Sequence, residues 1–232
     1  GVEGLPACDV IVGPGNRYVT AAKQLVSGRV GIDMLAGPSE LVILADESAE
    51  PDLVAADLLA QAEHDPDAVP ILVTTDPGLA ARVEEELELQ LEDLPTADIA
   101  RYALGNGGVV KAATLEEAAT LCDALAPEHL EIMTADPEAV ATRLNRYGAL
   151  FVGAGSAEVL GDYGAGPNHV LPTGGTARFS GPLSVLDFLV GRTWLRMDAG
   201  PEADAVARDA VALARLEGLE GHARSASLRL GM

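Results

Sequence analysis

The chain has 232 residues, 48% of them hydrophobic, and a formal net charge of −21. That length suits one large domain or two small ones, and no apolar run approaches the roughly 20 residues that cross a bilayer. Of the 15 basic residues only Lys23 and Lys111 are lysines, which excludes nucleic acid and anionic membrane as partners, since both need basic clusters. The acidity fits a solubilising surface, or equally an adaptation to high salt, where screening relieves self-repulsion. There is no basic-then-apolar leader, and Cys8 and Cys122 have neither metal nor disulfide spacing. The expectation is a cytoplasmic globular protein in a reducing compartment, with both thiols buried as small hydrophobes. The opening Gly1-Val2-Glu3-Gly4-Leu5-Pro6 runs straight into an apolar strand without an initiator Met, as though a further segment belongs before it.

Short branched apolar runs predict strands over 10–12, 41–45, 71–75, 129–133 and 150–153. Helices are predicted between them. The first covers 16–26, opened by Asn16 as a cap. The second covers 51–63, with Pro51 at its first position. The third covers 77–91, with Glu84, Glu85, Glu86 and Glu88 on its outer face. The fourth covers 114–124, where Thr114-Leu115-Glu116-Glu117 makes a capping box. The fifth covers 136–147. Alternation of this kind means an α/β fold with a largely parallel sheet, Rossmann-like and flanked by helices. Residues 153–182 are rich in Gly, Pro, Ser and Thr, and a loop that long is usually functional. An extended helical tail follows, over 183–189 and 203–217.

All four histidines, His64, His129, His169 and His222, sit in distinctive polar surroundings. Gln61 and His64 are three apart at a helix end and share a face, so one helix offers an ion two ligands. Alone this is weak, because an amide is an unusual zinc ligand and a histidine also suits the last turn of a helix. Glu128-His129 stands at a helix-to-strand junction. Its two titratable groups can trade protons near neutrality, although an exposed polar turn reads the same way. Gly161-Asp162-Tyr163-Gly164-Ala165-Gly166-Pro167-Asn168-His169 is a tight loop that displays Asp162 and His169. Gly218 is placed to end a helix, leaving His222 on a terminus that is otherwise bland. Gly13-Pro14-Gly15-Asn16 can offer backbone N–H groups to an anion or a dinucleotide, but it is not the GxGxxG fingerprint. Ala36-Gly37-Pro38-Ser39-Glu40 is a similar turn that exposes Ser39.

Each piece is weak separately, but their order along the chain is specific. The sequence resembles histidinol dehydrogenases over nearly its whole length. The resemblance is carried by Gly13-Pro14-Gly15-Asn16, Ala36-Gly37-Pro38-Ser39-Glu40, Gln61-Ala62-Glu63-His64, Ala126-Pro127-Glu128-His129-Leu130-Glu131, the loop 161–173, Thr176-Ala177-Arg178-Phe179-Ser180, and Glu217-Gly218-Leu219 with His222. It implies zinc held by Gln61, His64, Asp162 and His222, with Glu128 and His129 as the acid–base pair. It implies substrate contacts from Ser39, Gln61, His64, Glu128, His129, Asp162, His169, Glu217 and His222, and an NAD contact from Asn16. It also implies L-histidinol as substrate, a homodimer with shared sites, and family members about twice this length. On that basis 1–36 are the tail of a second nucleotide-binding-like domain, 37–182 the second half of the main one, and 183–232 a dimerisation tail. Two other readings stand beside it: a non-catalytic zinc-binding half that needs a separate N-terminal chain, and a zinc hydrolase, for which no HExxH-like motif is present.

Overall fold

The computed structural model describes residues 2–231. Strand β1 (Val10–Ile11) turns through Gly13-Pro14-Gly15-Asn16 into helix α1 (Arg17–Val26) and returns as β2 (Gly31–Ile32), parallel to β1. Asn16 caps α1 by accepting the Tyr18 and Val19 N–H groups. A larger sheet follows, with one or two helices between successive strands: β3 (Glu40–Ala45), α2 (Pro51–Ala62), β4 (Val69–Thr74), α3 (Leu79–Leu91), α4 (Ala97–Leu104), β5 (Gly108–Lys111), α5 (Leu115–Leu125), β6 (His129–Met133), α6 (Pro137–Ala141) and β7 (Ala149–Val152). Its five strands are all parallel, in the order β5-β4-β3-β6-β7.

Parallel strands covered on both faces read as unbroken apolar runs, and β3 does so, with Leu41 through Ala45 buried. On one face Leu41, Ile43 and Met133 pack against Val54 and Leu58 of α2. On the other Val42, Leu44, Leu130 and Ile132 pack against Ala118 and Cys122 of α5. The chain builds outward from β3 in one direction through β4 and β5, and in the other through β6 and β7. The starts of β3 and β6 are therefore neighbours in space though 89 residues apart in sequence.

Helix α7 (Val159–Asp162) follows β7, and a 3-10 turn covers Val185–Phe188. The chain divides after Phe188 into two compact units. The second contains α8 (Pro201–Leu216) and α9 (Glu220–Ser227), with Gly218 at φ 75 ending α8 as its spacing predicts. No helix among the described residues is long and apolar enough to cross a membrane.

Several elements depart from expectation. The helix expected over 136–147 stops at Ala141, and the N–H groups of Asn145 and Arg146 bond instead to the Asp123 carboxylate. The helix expected over 183–189 is a single 3-10 turn over Val185–Phe188, with the Leu183 N–H bonded to the Val170 carbonyl and the Ser184 N–H to the Asp187 carboxylate. Cys122 is buried as expected, but Cys8 is exposed.

Candidate active site

The site grows from the two adjacent strand starts. Leu41 of β3 lies opposite His129 of β6, so Ser39 and Glu40 come alongside Glu128. Glu128 Oε2 accepts the Ser39 hydroxyl at 2.6 Å and the Glu40 N–H at 3.1 Å. His129 Nδ1 lies 3.2 Å from the Glu40 carbonyl oxygen. A carbonyl only accepts, so Nδ1 carries the hydrogen and Nε2 is left as a free base.

Two backbone features hold this pair. Ala126, fully buried, caps α5 in the left-handed region at φ 50, a conformation costly for a residue with a Cβ. It aims Pro127 and Glu128 back into the sheet. Gly148 passes so close to Glu128 that an added Cβ would stand 2.5 Å from the Glu128 carbonyl oxygen.

Burial sets the protonation states. It pushes Glu128 up to about 7, against hydrogen bonds from Ser39 and Glu40 that favour the anion. It pushes His129 down to about 4, so the ring is neutral at neutral pH. Glu158 is pushed up to about 9 by burial and by the charge of Glu131. Glu131 is pushed up to about 8 by burial and by the charge of Asp57.

The opposite wall is suited to a cation. His64 follows the end of α2, while Glu158 and Asp162 stand at the two ends of α7. One ligand atom from each of His64, Glu158 and Asp162 lies within 4.8 Å of the others. Glu158 Oε1 is 3.9 Å from His64 Nε2 and 3.5 Å from His129 Nδ1. Gln61 is wholly buried on the last turn of α2, and among the described residues neither its amide oxygen nor its nitrogen has a hydrogen-bond partner. An orphaned buried amide costs about 1–3 kcal/mol. A metal ion suits His64, Glu158 and Asp162, because it would favour the ionised carboxylates.

Ser39, His64, Glu128, His129, Asp162 and His169 line one cavity of about 230 Å³, together with Glu158 and Tyr163. Asn16 lines a second cavity, which also reaches Ser39. Glu217 and His222 line a third, within the second unit. The expected residues other than Gln61, which lines none of these cavities, thus fall into three groups, and the first gathers most of them. Sequence reasoning missed Glu158, although its spacing of four from Asp162 would place both on one helical face. It also passed over Glu131 as a site residue, though a carboxylate at an inward position of an apolar strand is a visible signal.

These protonation states give a stability prediction for the metal-free chain. Glu131 holds its proton up to about 8 when folded, against an ordinary value of 4.5. Its contribution is complete below pH 4.5 and is lost as pH rises through 8. His129 acts in the opposite sense, but only between its folded value of about 4 and its ordinary 6.5. Above pH 6.5 the carboxyl dominates, with a slope of at most about 1.4 kcal/mol per pH unit per group. The urea midpoint should therefore fall from pH 6.5 to 8.5, and should fall less in Glu131→Met. Equal slopes in the two proteins would refute the assignment.

Fold and site together define a parallel α/β protein that carries a histidine–carboxylate pair beside a cluster of His64, Glu158 and Asp162 whose ligand atoms could hold a cation. The family model for histidinol dehydrogenase matches residues 1–230. The chain is 55% identical to the histidinol dehydrogenase of Thermus thermophilus over 229 residues, covering 99% of this chain and 55% of that protein. It is 57% identical to that of Nitratidesulfovibrio vulgaris over 233 residues, covering 99% of this chain and 52% of that protein. The crystal structure of histidinol dehydrogenase from Elizabethkingia anophelis superposes with a TM-score of 0.90 at 37% identity, covering 99% of this chain and 53% of that one. The chain belongs to the histidinol dehydrogenase family, and it spans about half the length of the relatives it matches.

Proposed function

We propose that this chain is the C-terminal half of a histidinol dehydrogenase, which oxidises L-histidinol through histidinal to L-histidine with two NAD. The observation that carries the reading is the single cavity lined by Ser39, His64, Glu128, His129, Asp162 and His169. On this reading Gln61, His64, Asp162 and His222 hold zinc. When bound, the zinc would anchor the substrate's amine and imidazole nitrogens and fix its carbinol carbon. His129 takes the hydroxyl proton at Nε2 as hydride leaves that carbon, giving the aldehyde. Glu128 then removes a proton from the water that adds to the aldehyde, and the second hydride leaves the hydrate. Neither cysteine lines the cavity, so the route needs no thiol adduct. Ser39, His169 and Glu217 contact substrate, and Asn16 contacts NAD. The cavities of Asn16 and of His129 both reach Ser39, which lets cofactor and substrate meet there.

Residues 1–36 then complete a second nucleotide-binding-like domain whose remainder lies outside this chain, and 37–182 complete the first. Residues 183–232 dimerise a cytoplasmic protein. Val190, Trp194, Leu195 and Leu216 are each more than three-quarters exposed, and a homodimer would cover such apolar area at about 25 cal/mol per Å². The test supplies the chain with the preceding half of a family-length protein, zinc, NAD and L-histidinol. About two NADH per histidinol are expected. No NADH from a folded, zinc-loaded assembly would leave a metal-binding half without catalysis.

A further inference from the structure

Beneath the cavity lies a carboxyl group that does not line it. Glu131 follows His129 by two residues on β6, so both side chains project from the same face of the sheet. It is 1% exposed, and the positions around it on that face are Leu41, Ile43 and Met133. A carboxyl buried among such residues costs several kcal/mol unless it is satisfied. Its Oε1 accepts the backbone N–H of Glu158 at 2.6 Å, and the Asp57 carboxyl of α2 stands against it.

That bond has a mechanical role. The other backbone hydrogen bonds of residues 154–162 stay local: Ser156 to Gly153, Leu160 to Ala157 and Gly161 to Glu158. The Ser156 hydroxyl reaches only to Val152. Among the described residues, the Glu131 bond is the one hydrogen bond that ties residues 154–162 to β6. The tied residue is Glu158, and Asp162 follows it one helical turn later. These two carboxylates, with His64, form the cation-binding wall.

We propose that Glu131 is a positioning residue for that wall: by accepting the Glu158 N–H from within the sheet, it fixes the turn that presents Glu158 and Asp162 to His64. The proposal rests on the reading that His64 and Asp162 hold a metal. Its active element is the acceptor oxygen. A carboxamide keeps that oxygen, and a thioether of similar size removes it.

The test titrates cobalt(II) into the full chain and into Glu131→Gln, Glu131→Met and His64→Ala, while amide exchange at Glu158 is followed in each. Glu131→Gln should bind cobalt within about threefold of the unaltered chain and keep the Glu158 amide protected. Glu131→Met should bind about 10–100-fold more weakly, the usual cost of losing an outer-shell partner, and its Glu158 amide should exchange freely. Undiminished affinity in Glu131→Met, or equal weakening in Glu131→Gln, would overturn the role. If the unaltered chain binds cobalt no better than His64→Ala, the metal reading fails. The clamp itself is then judged by amide exchange alone. If Glu131→Met does not fold, an unprotected Glu158 amide in the unaltered chain overturns the proposal and a protected one upholds it.

Discussion

His129→Asn should lower both oxidation steps by about 10²–10⁴-fold, the range that general base catalysis supplies, in the chain completed by its N-terminal half. Burial keeps the ring neutral at working pH, and the Glu40 carbonyl fixes its tautomer. Asparagine retains a polar group near Glu40 but offers no basic nitrogen. Glu128→Gln should behave differently. Glu128 titrates at about 7 and is held by Ser39 and Glu40, so it is a carboxylate poised to give or take a proton. Only the aldehyde-to-acid step consumes water, so the loss should fall chiefly there. Single-turnover oxidation of histidinol and of histidinal measures the two steps separately. Equal losses for Glu128→Gln on both substrates would remove the division of labour.

The second large effect concerns the metal. His64→Ala and Asp162→Asn should each weaken zinc binding by more than the roughly 10–100-fold that outer-shell changes cost, because each removes a donor from the gathered wall. His222 lies in the second compact unit, so whether it serves its own chain or a second copy is decided by mixing. A His222→Ala chain and a His64→Ala chain, exchanged as dimers, should regain a fraction of the zinc sites if sites are shared between copies, and a metal that bridges two chains also stabilises the dimer by mass action. Zinc content that stays at the level of the separate mutants after confirmed exchange would assign His222 to its own chain or to no site.

Strand β3 was legible because both of its faces are apolar, and β6 because Leu130, Ile132 and Met133 keep it a short buried run; Leu41 to Ala45 and His129 to Met133 lie where the pattern predicts. Strand β5 was not. It is four residues of Gly-Val-Val-Lys at the sheet edge, half of them polar or small, and edge strands carry little pattern. Helix α4 is only eight residues long, too short for a periodic signal. His64 and His129 announced the site because each stood in a polar run at an element boundary, and His169 because it stood in a Gly-rich loop. Glu158 did not, because a single glutamate in an irregular segment reads as solvated surface until the fold buries it. Asp57 and Glu131 were hidden for a related reason: their partnership spans α2 and β6, and no local spacing encodes it.

The parallel sheet has one further effect at this edge. Helices that join parallel strands run opposite to them, so α2 and α5 bring their carboxyl ends to the same edge where β3 and β6 begin. Helix α2 ends at Ala62, just before His64, and α5 ends at Leu125, just before Glu128. Each such end carries the macrodipole equivalent of about half a negative charge. Two of them converge on Glu128, Glu158 and Asp162, so the potential there draws metal ions and ammonium groups and repels phosphate. Helix α1 is oriented differently, with its amino end at Asn16 on the cavity that also reaches Ser39. The two cavities that meet at Ser39 therefore differ in the helix ends they face, the negative ends of α2 and α5 at one and the positive end of α1 at the other, where Asp65 and Asp67 stand beside it.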